Sequence, residues 1–259
     1  MRDIHYNNCK TGVLQKARVF SGSFPEIGYF SRTHTQGKEY EMVTRYVSYL
    51  IKKYDKLRNK RAAIFVEPQL DTGYPDIVVV EFSSVPTLSW KSARYGLTST
   101  EIKILHYIHT IKNAGIETIS NTLGFPVSSV EKSVRKLKES GLINVSKSGQ
   151  YVRNIQLRKY CRINKIIAIE AKIDKWQEAI RQAENNTWFA TESYILMNKK
   201  TCSPSIREQC ESKGIGIIHV NGTIKTDLFS AKREFPVSYA SLQFNEWVLR
   251  DINIAEEKL

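Results

Sequence analysis

No run of this 259-residue sequence approaches the ~20 apolar residues that a membrane-spanning helix needs. Met1-Arg2-Asp3-Ile4-His5 opens without the apolar core of a signal peptide. Cysteine is sparse too: Cys9, Cys161, Cys202 and Cys210 are scattered, without Cys-x-x-Cys spacing. They read as ordinary thiols of a reducing compartment, not as a zinc site or a disulfide frame. The expected location is the cytoplasm, with no membrane partner. Acidic residues are the other shortage, 26 against 39 Lys and Arg, for a net charge of +13 and a pI near 9.5. That surplus favours polyanions, nucleic acid before acidic membrane surfaces. Hydrophobic residues make up 41% of the chain, enough to bury a sizeable core.

About the first 35 residues carry no lasting period, and Gly22, Pro25, Gly28 and Gly37 punctuate them. The first strong element follows. Val43, Val47, Leu50, Ile51 and Tyr54 recur at helical spacing, which sets Glu39 on or beside the buried face. A carboxylate there needs a partner or a cation; the plainer alternatives are a first-turn acid favoured by the helix dipole or a lysine pair. Residues 62–67 and 74–82 read as strands joined by an Asp71-Thr72-Gly73 turn. Both are nearly continuous in apolar residues, as strands buried on two faces are. Asp76 opens the second strand straight after Pro75, or belongs merely to the turn.

From about Gly96 to Tyr160 the composition shifts. Thr98-Ser99-Thr100 caps a helix carrying Ile102, Leu105, Ile108 and Ile111. Ile116 to Leu123 suits a second helix. Pro126-Val127-Ser128-Ser129 opens a third, with Val130, Val134 and Leu137 inward and Lys132, Arg135, Lys136 and Lys138 largely outward. Leu142 to Val145, a Lys147-Ser148-Gly149-Gln150 turn and Tyr151 to Arg153 make a hairpin. This order, from Ile116 through Ile143 above all, resembles the winged helix-turn-helix family. The resemblance implies a third helix in the major groove and a hairpin on the backbone or minor groove. Ser128, Ser129, Lys132, Arg135 and Lys136 would then lie near bases or phosphates, with Lys147 and Arg153 on the wing. Residues 97–160 hold ten Lys and Arg against four Glu, 10 − 4 = +6, the sign that phosphate neutralisation needs. Winged helices also grip proteins, so a protein partner stays open.

Apolar strand character returns at Ile166-Ile167-Ala168-Ile169, which runs into Glu170-Ala171-Lys172. Side chains two apart share a strand face, so Glu170 and Lys172 point the same way. The pattern also occurs at Glu101-Ile-Lys103, Glu211-Ser-Lys213 and Glu256-Glu-Lys258. The apolar lead-in and the upstream Asp76 strand set this copy apart. A helix over Trp176–Ala190, a strand over 194–197, a helix over 202–210, a strand over 215–220 and a helix over 238–251 complete the chain. The expected fold class is α/β, a mixed sheet flanked by helices. The expected division is 1–95 and 161–259 for one body, with 96–160 inserted into it.

Without the insertion, the chain resembles the restriction-endonuclease-like, PD-(D/E)xK nuclease superfamily over most of residues 37–220. Pro75-Asp76 and Glu170-Ala171-Lys172 match its two signature segments. Glu39 falls where many members carry a further acid, and Gln182 matches a glutamine of the branch resembling Holliday-junction resolvases and repair nucleases. The insertion between the motif halves departs from the simple pattern. The resemblance implies Mg²⁺, with Mn²⁺ substituting, held by Asp76, Glu170 and the Ala171 carbonyl. Mg²⁺ needs few carboxylates because it keeps several waters. Lys172 would position the water or stabilise phosphate charge, while Glu39 and Gln182 would assist.

Three function classes follow: a Mg²⁺-dependent DNA endonuclease of restriction, defence or a mobile element; a non-catalytic DNA-binding regulator on a nuclease-like scaffold; and a subunit of a larger defence or transposition complex. A buried ion-pair cluster would display the same residues with no activity. Double-stranded DNA is the expected substrate, RNA being less favoured. Cutting both strands commonly takes two sites, which points to a homodimer.

Overall fold

A computed structural model describes residues 16–32, 36–58, 60–82, 90–153, 161–235 and 237–256. Cys9, the N-terminal pentapeptide and residues 154–160 at the close of the inserted module lie outside the described residues. The chain opens with β1 (Ala17–Phe20), α1 (Lys38–Asp55), β2 (Arg61–Val66) and β3 (Ile77–Phe82). After the insertion come β7 (Ile163–Lys172), α5 (Trp176–Asn185), β8 (Glu192–Met197), α6 (Pro204–Lys213), β9 (Gly216–His219), β10 (Lys225–Leu228) and α7 (Tyr239–Glu256).

These strands form one seven-stranded mixed sheet in the order β1-β2-β3-β7-β8-β9-β10, an α/β fold. β3 lies antiparallel to both β2 and β7, while β7, β8 and β9 run parallel. Alternation divides each central strand between two cores. Ile77, Val79, Ile169 and Ala171 meet the α1 residues Val43, Tyr46, Val47 and Leu50. Val78, Val80, Ile166 and Ala168 meet Phe244, Trp247 and Val248 of α7. Leu50 is 3% exposed in the first of these cores, so truncating it to alanine costs about 2–5 kcal/mol. Ile195 and Ile217 pack under α5 and α6 with Ala179, Ile180 and Ile206.

Two edge strands escape a sequence reading. β1 lies within residues that look irregular, yet pairs with β2 from Ala17↔Ala62 to Phe20↔Phe65. β10 (Lys-Thr-Asp-Leu) is largely polar and gives no apolar run. The helix expected over Trp176–Ala190 also stops early, with α5 ending at Asn185 and a 3₁₀ turn following at Asn186–Trp188.

Between β3 and β7 stand α2 (Ser99–Ile111), β4 (Asn113–Ala114), α3 (Ile116–Leu123), α4 (Val127–Glu139), β5 (Ile143–Val145) and β6 (Tyr151–Arg153). β4 joins the hairpin in a three-stranded sheet of order β4-β6-β5. Ile102, Leu105, Ile108, Ile119, Val130, Val134 and Leu137 form a core of their own, which Leu242 of α7 enters. Thr98 and Glu101 make a reciprocal capping box at the start of α2. Glu101 also accepts from Ser133 Oγ at 2.7 Å, so this Glu-x-Lys copy ties α2 to α4. Arg94 holds Glu246 with bonds of 3.1 and 2.6 Å, the two side chains 5% and 1% exposed. Arg250 donates to the Leu97 and Ile27 carbonyls. Of these contacts the Arg250–Leu97 bond, with Leu242, ties the inserted module to α7.

Candidate nucleic-acid and metal site

The antiparallel register pairs Ile77 with Ile169, and its next step sets Asp76 opposite Glu170 at the ends of β3 and β7. The Ala171 amide donates to Asp76 Oδ2 at 2.6 Å. An extended residue directs its N–H and C=O towards the same neighbour, so the Ala171 carbonyl lies on that Asp76 side as well. Glu170 is 3% exposed, and its Oε1 accepts from Asn186 Nδ2 at 2.6 Å. Lys172 Nζ stands 3.4 Å from Glu39 Oε2, and Glu39 also accepts from the Ile173 amide at 3.4 Å. Asp76, Glu170, Lys172 and Glu39 therefore converge.

Glu39 takes the plainer of its alternatives: it is a first-turn acid, its side chain 47% exposed, paired with Lys172. Among the described residues, the buried Oε1 of Gln182 meets no hydrogen-bond partner. Glu170 is held by Asn186, four residues further on, where a helix returns to the same face.

Glu67 was missed. It is 8% exposed, directly follows β2 and has φ of 49°, a left-handed conformation that costs a non-glycine residue about 1–3 kcal/mol. Its amide donates to the Asp76 carbonyl at 3.0 Å. The signal was available, because Val66-Glu67 is an apolar strand ending on an acid, as Ile169-Glu170 is. Glu67, Asp76, Glu39 and Lys172 line a cleft of about 560 Å³, with Arg32 and Lys38 adding positive charge.

The electrostatics suit a divalent cation. Burial pushes Asp76 up to about 6, against the pull of the Ala171 amide and Lys172, while Glu67 and Glu39 add repulsion. Burial, then the charge of Asp76, lifts Glu170 well above the usual carboxylate range, with Asn186 and Lys172 opposing. Facing carboxylates held at such cost are stabilised by a doubly charged ion, and their oxygens are the donors that Mg²⁺ prefers. For Lys172 burial pulls downward, but Asp76, Glu39 and Glu170 outweigh it and the net shift is upward. Lys172 is an ammonium at neutral pH.

The inserted module presents a second surface. Ser128, Lys132, Arg135, Lys147 and Arg153 are exposed and Ser129 is half-buried. The first turn of α4 carries no acid, leaving its N-terminal dipole available to an anion. Lys136 differs, being half-buried with its Nζ 3.8 Å from Glu101.

Residues 92–164 match the family model described as "Sugar-specific transcriptional regulator TrmB". The chain resembles that family over 164 − 92 + 1 = 73 of its 259 residues, a stretch that contains the inserted module. No curated protein and no solved structure matches the chain. Among the described residues, no helix is long and apolar enough to cross a membrane.

Proposed function

We propose that the chain binds duplex DNA through its inserted module and hydrolyses phosphodiester bonds at Asp76, Glu170 and Lys172 with a divalent cation. The match to a family of transcriptional regulators supports DNA binding. Hydrolysis rests on one observation: the buried Glu170, the half-buried Asp76 and a lysine meet at the ends of adjacent strands, and Asp76 and Lys172 open onto a cleft that Arg32 and Lys38 also line.

In this reading Asp76 and Glu170 hold Mg²⁺ or Mn²⁺, with the Ala171 carbonyl beside them. The bound ion would supply Lewis-acid activation of water and neutralise phosphate charge. Lys172, kept protonated by three carboxylates, stabilises negative charge on the phosphoryl oxygens and is not the base. Glu39 positions Lys172, and Asn186 fixes the rotamer of Glu170. Arg32 and Lys38 attract the phosphate backbone. A restriction, defence or mobile-element context, and a homodimer that cuts both strands, belong to the same proposal.

The family match favours a second reading, a DNA-binding regulator whose α/β body does not cut. Incubating the full chain with supercoiled plasmid, with Mg²⁺ or with chelator, separates the two. Metal-dependent nicked or linear product supports hydrolysis. Intact plasmid together with salt-sensitive retention of duplex DNA supports the regulator.

A further inference from the structure

We propose a second metal centre, of the Zn²⁺ class, formed by Cys202, His219 and Asp227. One donor atom from each lies within 4.8 Å of the other two. Asp227 Oδ2 is the hub, 3.7 Å from Cys202 Sγ and 3.4 Å from His219 Nε2. A tetrahedral ion with bonds of ~2.0–2.3 Å keeps neighbouring oxygen, nitrogen and sulfur donors about 3.3–3.5 Å apart. The two contacts of Asp227 thus stand within a few tenths of an ångström of the spacing that an ion would impose.

Their placement comes from three separated elements. Cys202 immediately precedes Ser203, the residue that caps α6. His219 ends β9, with a side chain 1% exposed and an Nδ1 that, among the described residues, meets no hydrogen-bond partner. Asp227 is the extra residue of a β-bulge, since pairing slips from Thr226↔Ile218 to Leu228↔Ile217. Bulges recur beside functional sites because they re-aim a side chain. Asp227 is partly exposed, which leaves a side open for water as a fourth ligand.

Ligand chemistry separates this centre from the carboxylate site. Thiolate and imidazole select Zn²⁺, whereas Mg²⁺ favours an all-oxygen set. The register Lys172↔Met197↔His219 places the centre two strands away, roughly 10 Å, at the same end of the sheet. The competing occupant is Arg207, whose Nη1 lies 3.0 Å from Asp227 Oδ2. Its Nε is also 3.2 Å from Glu211, so the guanidinium keeps a carboxylate partner when a metal takes that oxygen.

Titrating the purified full chain with Co²⁺ tests the proposal. The expected result is about one Co²⁺ per chain with tetrahedral d–d bands and a thiolate-to-cobalt charge-transfer band, both displaced by Zn²⁺. Cys202→Ser, a near-isosteric change outside the helix, abolishes the charge-transfer band, and Cys210→Ser retains it. Asp227→Asn, at a partly exposed position, weakens binding at least roughly tenfold while circular dichroism stays unchanged. Asp76→Asn leaves the band intact, so the two metal sites fail separately. Absence of a charge-transfer band in the wild type, or its survival in Cys202→Ser, overturns the proposal and leaves an Asp227–Arg207 ion pair.

Discussion

The Ala171 amide donates to Asp76 Oδ2 at 2.6 Å, joining two residues 95 positions apart at the ends of neighbouring strands. β3 and β7 pair from Ile77↔Ile169 to Phe82↔Ile163, so the insertion enters and leaves at the far end from Asp76 and Glu170.

The contribution of Asp76 to the stability of the metal-free protein will fall as pH rises. Asp76 moves up from 3.8 to about 6 on folding, so the folded state holds the proton more tightly than the unfolded chain. The favourable contribution is complete below about pH 4 and lost as pH passes through about 6. Burial holds His106 and His109 below the usual imidazole range and works in the opposite sense over this window, so the Asp76 contribution is read as a difference between thermal melts. Going from pH 5 to pH 7, wild type will lose stability relative to Asp76→Asn, and added Mg²⁺ will recover more of it at pH 7.

Asn186→Ala removes the donor that favours ionisation of Glu170. Metal-dependent cleavage should then shift its acid limb to higher pH, with a smaller loss at alkaline pH. A purely structural role would lower the rate equally across the profile.

Glu101→Ala strips one carboxylate of bonds to the Thr98 amide at 2.7 Å, the Thr98 hydroxyl at 2.6 Å and Ser133 at 2.7 Å. Losing the cap and the α2–α4 tie should cost about 2–3 kcal/mol and lower the melting temperature. Glu101→Gln, which keeps the shape, should cost less.

On the DNA-facing surface, Lys132→Ala and Arg135→Ala should each reduce the slope of log affinity against log salt by about 0.9, one phosphate contact apiece. Lys136→Ala should leave that slope unchanged, because its ammonium faces Glu101.

Much of this molecule was legible in its sequence, for local reasons. β2, β3 and β7 are apolar runs, α1 has a clear period, and the order of α3, α4 and the hairpin gives the winged module. Asp76, Glu170 and Lys172 could be picked out because Asp76 opens such a run and Glu170 and Lys172 close one. What stayed hidden depends on long-range pairing or short polar segments. β10 has no apolar signature, and β1 is only four residues long. Asn186 falls where a helical period turns into a 3₁₀ turn. Cys202, His219 and Asp227 meet through α6, β9 and a bulge, and no spacing rule links them.

The most direct measurement is the rate of Mg²⁺-dependent plasmid cleavage by Asp76→Asn beside wild type, with matched folding by circular dichroism. This nearly isosteric change keeps an oxygen to accept the Ala171 amide but removes the charge that would hold the cation. A wild type that cuts and a variant slowed by a factor on the order of 100 or more is the result expected. A variant that cuts as fast as the wild type, or a wild type that binds DNA without cutting it, would contradict the account.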